Sequence, residues 1–196
     1  GEFPKRTDMS LKKLKKLLKN NKKKTKFNDL FIVKQKNNKD NRGILRETFY
    51  KKILKKEFIF EYCTTSKQGV LRGFHLQTKN QQSKYVSVLK GKILDVVIDL
   101  RKRSKTFGKT FKIILSNKNA LSLFIPKGFA HAYYSLDKEN IIYYKLDNYY
   151  EPKYESGIVY NDKELKINWG KKKVILSNKD KKQKSLKEFL KKYNGF

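Results

Sequence analysis

Between Phe27 and Trp169 the chain is a succession of short runs rich in Val, Ile, Tyr and Phe. Each is cut off by Gly, Pro, Asn or Asp, and no helical period of comparable length interrupts them. Runs of this kind are strands, and their regular spacing limits the fold to a β-sandwich or β-barrel. The expected strands cover residues 84–89, 93–100, 111–115, 121–125, 130–136 and 140–146. Lys90-Gly91-Lys92 reads as the tight turn of a hairpin between the first two, and Pro126-Lys127-Gly128 and Asp137-Lys138 read as later turns. Helical signals appear only at the two ends. Leu11, Leu14, Leu17 and Leu18 recur at helical spacing behind Ser10, a candidate N-cap, and residues 185–193 repeat the pattern near the C-terminus. The expectation is a mainly β fold with short N- and C-terminal helices.

Composition decides whether such a chain can close around a core. Of 196 residues, 38% are hydrophobic and 13% aromatic, enough for one sizeable core and too much for a disordered polyelectrolyte. The formal charge is nevertheless +31, from 49 Lys and Arg against 18 Asp and Glu. A surface this basic suggests a phosphate-rich partner, but its distribution argues otherwise. Nine lysines lie between Ser10 and Lys26 and ten more between Lys171 and Lys192, so the excess gathers at the ends. A preference for Lys over Arg, alongside abundant Asn and Ile, is also what a genome rich in adenine and thymine produces, and a nucleic-acid partner is not expected. Residues 1–8 precede Met9, the single methionine, and read as a cloning remnant; residues 9–26 read as a basic amphipathic extension, and residues 27–196 as one domain. No apolar run approaches the roughly 18 residues of a membrane span. The lone Cys63 forms no internal disulfide. Together these features suggest a cytoplasmic protein.

The chain contains two histidines, each near glycine in a β context: His75 in Leu71-Arg72-Gly73-Phe74-His75 and His131 in Gly128-Phe129-Ala130-His131. Polar groups projecting inward from the strands of a small barrel are a usual lining for a ligand cavity. Arg72, three residues before His75, offers a planar fork for a diphosphate or carboxylate. A metal site would need carboxylates and amides to complete two histidines, so none is expected. Cys63 reads as a small buried apolar residue. No glycine-rich phosphate loop or dinucleotide fingerprint is present.

The string Gly69-Val70-Leu71-Arg72-Gly73-Phe74-His75-Leu76-Gln77 resembles the signature of the dTDP-4-dehydrorhamnose 3,5-epimerase family. The similarity continues in register through Arg42-Gly43 with Glu47, Ser83-Lys84-Tyr85-Val86, the run from Gly91 to Arg101 and the run from Ile125 to His131. It extends to Tyr144-Lys145, Asn148-Tyr149-Tyr150, Asn161-Asp162, Ile167-Asn168-Trp169 and the run from Leu176 to Asp180. This resemblance implies a cupin-type β-sandwich barrel that works without metal or other cofactor and usually forms a homodimer with strand exchange near its N-terminus. It also implies a nucleotide-diphosphate sugar substrate and an isomerase that removes and replaces protons at C3 and C5 of a nucleotide-linked 4-keto-6-deoxy sugar, for surface polysaccharide or glycoconjugate synthesis.

Proton removal beside a ketone needs a base of near-neutral pKa, a cation or donor at the developing enolate oxygen, and an acid on the opposite ring face. By resemblance His75 is the base, Asp180 its carboxylate partner, Lys84 the enolate-stabilising cation and Tyr144 the acid. Arg72 and His131 match groups around the diphosphate and sugar, Asp95 and Tyr150 match other pocket residues, and Arg42 and Glu47 match nucleotide contacts reaching over from a partner subunit.

The departures concentrate where the nucleotide sugar is held. Where family members commonly carry a Gln-Asp-Asn string, this chain has Phe60-Glu61-Tyr62; Asn38 and Tyr160 replace two pocket aromatics. These changes leave the nucleotide, the sugar and the number of epimerised carbons open. Two other readings remain at this point, a nucleotide-sugar 3,4-ketoisomerase of similar barrel fold and a catalytically silent basic barrel that binds nucleic acid or an acidic partner.

Overall fold

The structure, a computed structural model, describes residue 16 and residues 21–170 and 173–196. The amphipathic helix expected over Leu11, Leu14, Leu17 and Leu18 lies outside the described residues. Two antiparallel sheets face each other. The larger is assembled from β1 (Lys22–Lys24), β2 (Phe31–Lys34), β5 (Phe60–Lys67), β7 (Lys84–Lys90), β10 (Leu121–Ile125) and β12 (Glu139–Leu146), in the order β1-β2-β10-β7-β12-β5. The smaller contains β6 (Leu71–Gln77), β8 (Lys92–Asp99), β9 (Thr110–Ser116), β11 (Phe129–Ser135) and β13 (Glu155–Gly157), in the order β13-β6-β11-β8-β9. A separate hairpin joins β3 (Lys36–Asp40) to β4 (Gly43–Glu47). The short helices are α1 (Lys51–Leu54), α2 (Asn178–Lys181) and α3 (Leu186–Tyr193). This is the expected β-sandwich.

Period-two alternation puts the strand residues where the sequence predicts. On β12, Asn140, Ile142, Tyr144 and Leu146 are buried while the residues between them are less so. The apolar rows of both sheets meet in a core that includes Val86, Val97, Leu115, Leu123, Ile142 and Leu146. The outer face of the smaller sheet is covered by the C-terminal segment, with Trp169, Leu186 and Phe189 packed on Phe74, Val96 and Ile98. Helix α3 starts at a capping box, in which Ser185 and Glu188 satisfy each other's backbone N–H groups. The outer face of the larger sheet is covered by Phe49, Ile53, Leu54 and Phe58 against Tyr85 and Phe124.

Two local expectations change. Residues 84–90 and 92–99 are strands, but they do not form a hairpin: β7 pairs with β10 and β12, and β8 pairs with β9 and β11. The turn at Gly91 carries the chain from one sheet to the other. Gly91 has φ +85°, and a Cβ there would lie 2.4 Å from the Glu139 carbonyl oxygen and 2.5 Å from Asn140 Oδ1. A corner this tight admits only glycine. Cys63, expected to be buried, is exposed. On β5 the inward row is Phe60, Tyr62, Thr64 and Ser66, and Cys63 falls on the alternate face.

Candidate active site

Residues of both sheets line a cavity of about 300 Å³. The smaller sheet contributes Arg72 and His75 from β6, His131 and Tyr133 from β11, and Glu155 from β13; the larger contributes Phe60, Tyr62 and Thr64 from β5, Lys84 from β7 and Tyr144 from β12. Arg72 and His75 are three residues apart and would point to opposite faces of a regular strand. They share the cavity because the register between β6 and β11 slips: His75 pairs with His131, whereas Arg72 pairs with Tyr133. The extra β6 residue is accommodated at Gly73, which has φ +120° and sits so close to β11 that a Cβ would lie 2.4 Å from the His131 carbonyl oxygen. The glycine of Arg72-Gly73-Phe74-His75 is therefore what aims both functional side chains the same way.

His75 Nε2 lies 2.5 Å from Asp180 Oδ1. Asp180 is buried on α2, its backbone N–H capped by Ser177 Oγ at 3.1 Å, and its second oxygen accepts the Gly73 N–H at 3.2 Å. Burial alone would raise the Asp180 carboxyl, but the hydrogen bond and charge of His75, the Gly73 N–H and the nearby Lys179 outweigh it and hold the group below its ordinary value. A carboxylate fixed in this way selects the tautomer of His75 and leaves Nδ1 as the free ring nitrogen.

Lys84 has its ammonium lowered to about 8 by burial, against the opposing pull of Glu155 and Asp95. His131 Nε2 bonds Asp95 Oδ2 at 2.8 Å, both groups being buried. Burial pushes His131 down, only partly offset by Asp95, with Lys84 and His75 acting in the same direction as burial. Asp95 does not line the cavity itself and reaches it through His131. Tyr150 donates to Glu155 Oε2 at 2.7 Å, which raises its phenol to about 12.

Four tyrosines line the cavity, and hydrogen bonding separates them. The Tyr133 hydroxyl is engaged by Thr64 and Ser66, each at 2.9 Å, and the Tyr150 hydroxyl by Glu155. Among the described residues no hydrogen bond reaches the hydroxyl of Tyr144 or Tyr62. Tyr144 is held far above its ordinary value by burial first, then by Tyr133, Tyr62 and Asp95, so it enters any reaction as a neutral acid.

Arg42 and Glu47 lie elsewhere. They belong to the exposed β3–β4 hairpin, where Arg42 is held by Asp40 at 2.6 Å and Glu47 faces Lys36 at 3.8 Å. Neither lines the cavity of its own chain. Tyr160 also lies away from it, packed on Trp169 with ring centroids 6.5 Å apart. Glu155, conversely, was not singled out by sequence reasoning. Its Oε1 lies 4.0 Å from His75 Nδ1, and its Oε2 accepts from Lys179 as well as Tyr150. It reaches the histidine only because β13 pairs with β6, Gly157 opposite His75, and no short-range pattern announces that pairing. Among the described residues no three His, Cys, Asp or Glu side chains are grouped to hold a metal ion, and no helix is long and apolar enough to cross a membrane.

A family model described as dTDP-4-dehydrorhamnose 3,5-epimerase matches residues 24–188. The chain belongs to the dTDP-4-dehydrorhamnose 3,5-epimerase family. It is 39% identical over 173 residues to the dTDP-4-dehydrorhamnose 3,5-epimerase of Methanothermobacter thermautotrophicus, covering 84% of this chain and 94% of that one. Identity to the enzyme of the same name from Shigella flexneri is 38%, over 80% of this chain and 91% of that one. A crystal structure of the dTDP-6-deoxy-D-glucose-3,5-epimerase of Legionella pneumophila, in complex with dTDP-4-keto-L-rhamnose, superposes with a TM-score of 0.82 at 39% identity, covering 85% of this chain and 93% of that one. The epimerase-family fold is therefore the cupin-type sandwich that the resemblance implied, and the activity of the family is isomerisation.

Proposed function

We propose that the protein epimerises a dTDP-linked 4-keto-6-deoxy sugar at C3 and C5 through enolate intermediates, without a cofactor. The observation that carries this reading is that His75, held by Asp180, shares one cavity with Lys84 and with Tyr144, whose hydroxyl no described residue engages. Each C–H bond beside the C4 ketone breaks with its proton passing to His75 Nδ1 and its electron pair moving into the enolate. Asp180 stabilises the imidazolium that forms, and Glu155 adds a second negative charge near Nδ1. Lys84 faces the developing oxyanion, where a desolvated cation acts most strongly. Tyr144 returns a proton to the opposite face, and its high pKa ensures that it has one to give.

His131, oriented by Asp95, and Arg72 support binding of the sugar and diphosphate, with Tyr150 at the rim. Arg72 is pre-aimed by Ser66 Oγ at 3.2 Å and the Thr65 carbonyl at 3.3 Å. Arg42 and Glu47 serve a second copy of the chain. Their hairpin projects Ile44 and Leu45 into solvent at 59% and 65% exposure, an apolar surface that pairing in a homodimer would cover. Nucleotide-sugar synthesis places the enzyme in the cytoplasm, supplying surface polysaccharide or glycoconjugate assembly.

The test is incubation of dTDP-4-keto-6-deoxyglucose with the protein in deuterated water, followed by proton NMR. Deuterium at C3 and C5 with inversion is the expected result. No incorporation with this donor, or with its GDP, CDP and UDP counterparts, refutes the reading.

A further inference from the structure

Among the described residues none gives the Tyr144 hydroxyl the hydrogen bond that usually aims a proton-donating tyrosine. The Tyr144 ring instead contacts two others. His131, anchored by Asp95, makes a T-shaped contact with it, with centroids 6.2 Å apart and planes at 66°. Tyr62 lies nearly parallel to it at 4.7 Å and 22°. The stack follows from strand register, since Tyr62 on β5 is directly opposite Tyr144 on β12 and both project into the cavity. Tyr62 leans in turn on Phe60, with centroids 5.6 Å apart.

We propose that Tyr62 is a positioning residue for Tyr144, whose flat ring fixes the angle at which the Tyr144 hydroxyl meets the far face of the sugar. The inference rests on the proton-transfer roles proposed above. Tyr62 suits the task because it is 37% exposed while Tyr144 is 4% exposed, so it forms the cavity-side clamp on an otherwise enclosed ring. Offset stacking is a preferred aromatic geometry and restrains tilt without consuming the hydroxyl proton. An amide at this position, as family members commonly have, would offer no such face.

The role gives a signature that loss of structure does not. With Tyr144 misaimed, His75 still removes the substrate proton, exchanges it with solvent and returns deuterium to the face it came from. The C–H bond breaks and re-forms without inversion. In deuterated water Tyr62→Ala should therefore lower the rate of epimerisation by about 10- to 100-fold while exchange with retained configuration persists, raising the ratio of exchange to inversion by the same factor. Tyr62→Phe, which keeps the flat ring, should recover inversion to within about fivefold of wild type. Should Tyr62→Ala fail to fold by circular dichroism, Tyr62→Leu, which keeps bulk without a flat face, carries the same expectation.

An unchanged ratio in folded Tyr62→Ala or Tyr62→Leu overturns the inference. So does a Tyr62→Phe variant as impaired as Tyr62→Ala, since that assigns the effect to the hydroxyl. An equal fall of exchange and inversion overturns it as well. Neither exchange nor inversion in the wild-type protein refutes the proposed reaction itself and removes the inference with it.

Discussion

His75 Nε2 and Asp180 Oδ1 are 2.5 Å apart across 105 positions of sequence, and Asp180 Oδ2 also accepts the N–H of Gly73, the residue that bends β6 to aim His75. One carboxylate thus holds both the base and the backbone bulge that presents it.

Replacing Asp180 with Asn preserves shape and removes the charge that stabilises protonated His75. Asp180→Asn is expected to lower kcat by about 10²-fold or more, and His75→Ala by about 10²- to 10⁴-fold, the range for loss of a positioned general base. Far-UV circular dichroism should be unchanged in both. Near-wild-type turnover of His75→Ala, measured by deuterium exchange, would exclude it as the base.

Lys84 sets the alkaline behaviour. Its protonated form stabilises the enolate, and its folded-state pKa of about 8 lies below the ordinary lysine value. The active cation is therefore present below that pH and lost above it, so kcat/KM should fall as pH rises through about 8. In Lys84→Arg, whose guanidinium stays charged, whatever activity remains should lack this limb. A pH–rate profile of the two proteins decides.

The Gly91 corner joins the two sheets. Gly91→Ala forces a side chain onto the Glu139 carbonyl and keeps φ in the left-handed region, and is expected to destabilise the fold by about 2–3 kcal/mol. Chemical denaturation should show the lower midpoint, with catalysis intact in the folded fraction.

If Arg42 completes the site of a partner chain, two inactive proteins should rescue each other. Mixing Arg42→Ala with His75→Ala after dissociation and reassociation yields heterodimers with one complete site, expected to restore about one quarter of wild-type activity. No rescue, with heterodimers verified by mass spectrometry, would confine Arg42 to its own chain. Ile44→Asp with Leu45→Asp should shift the sedimentation coefficient to that of a monomer.

Local chemistry made much of the fold legible. Alternation and turn residues placed strands at 84–89, 93–100, 111–115, 121–125, 130–136 and 140–146, where the structure has them at 84–90, 92–99, 110–116, 121–125, 129–135 and 139–146, and Ser185 announced the start of α3. Local pattern does not say which strand pairs with which, so Gly91 read as a hairpin turn when it is a corner between sheets. The same limit hid Glu155, which has no sequence neighbour that marks it and meets His75 only through the β13–β6 pairing.

The sequence by itself determined the family, the mainly β architecture and the identity of His75, Lys84, Tyr144 and Asp180 as candidates, because those depend on residue types in order along the chain. The tertiary structure alone decided how the cavity hydroxyls are engaged. Resemblance along the chain singles out Tyr144 but says nothing of hydroxyl partners; Thr64 and Ser66 engage Tyr133, whereas among the described residues none hydrogen-bonds Tyr144, whose ring stacks on Tyr62. Hydrogen-bond satisfaction and ring packing join groups tens of residues apart, and they exist only once the two sheets have closed on each other.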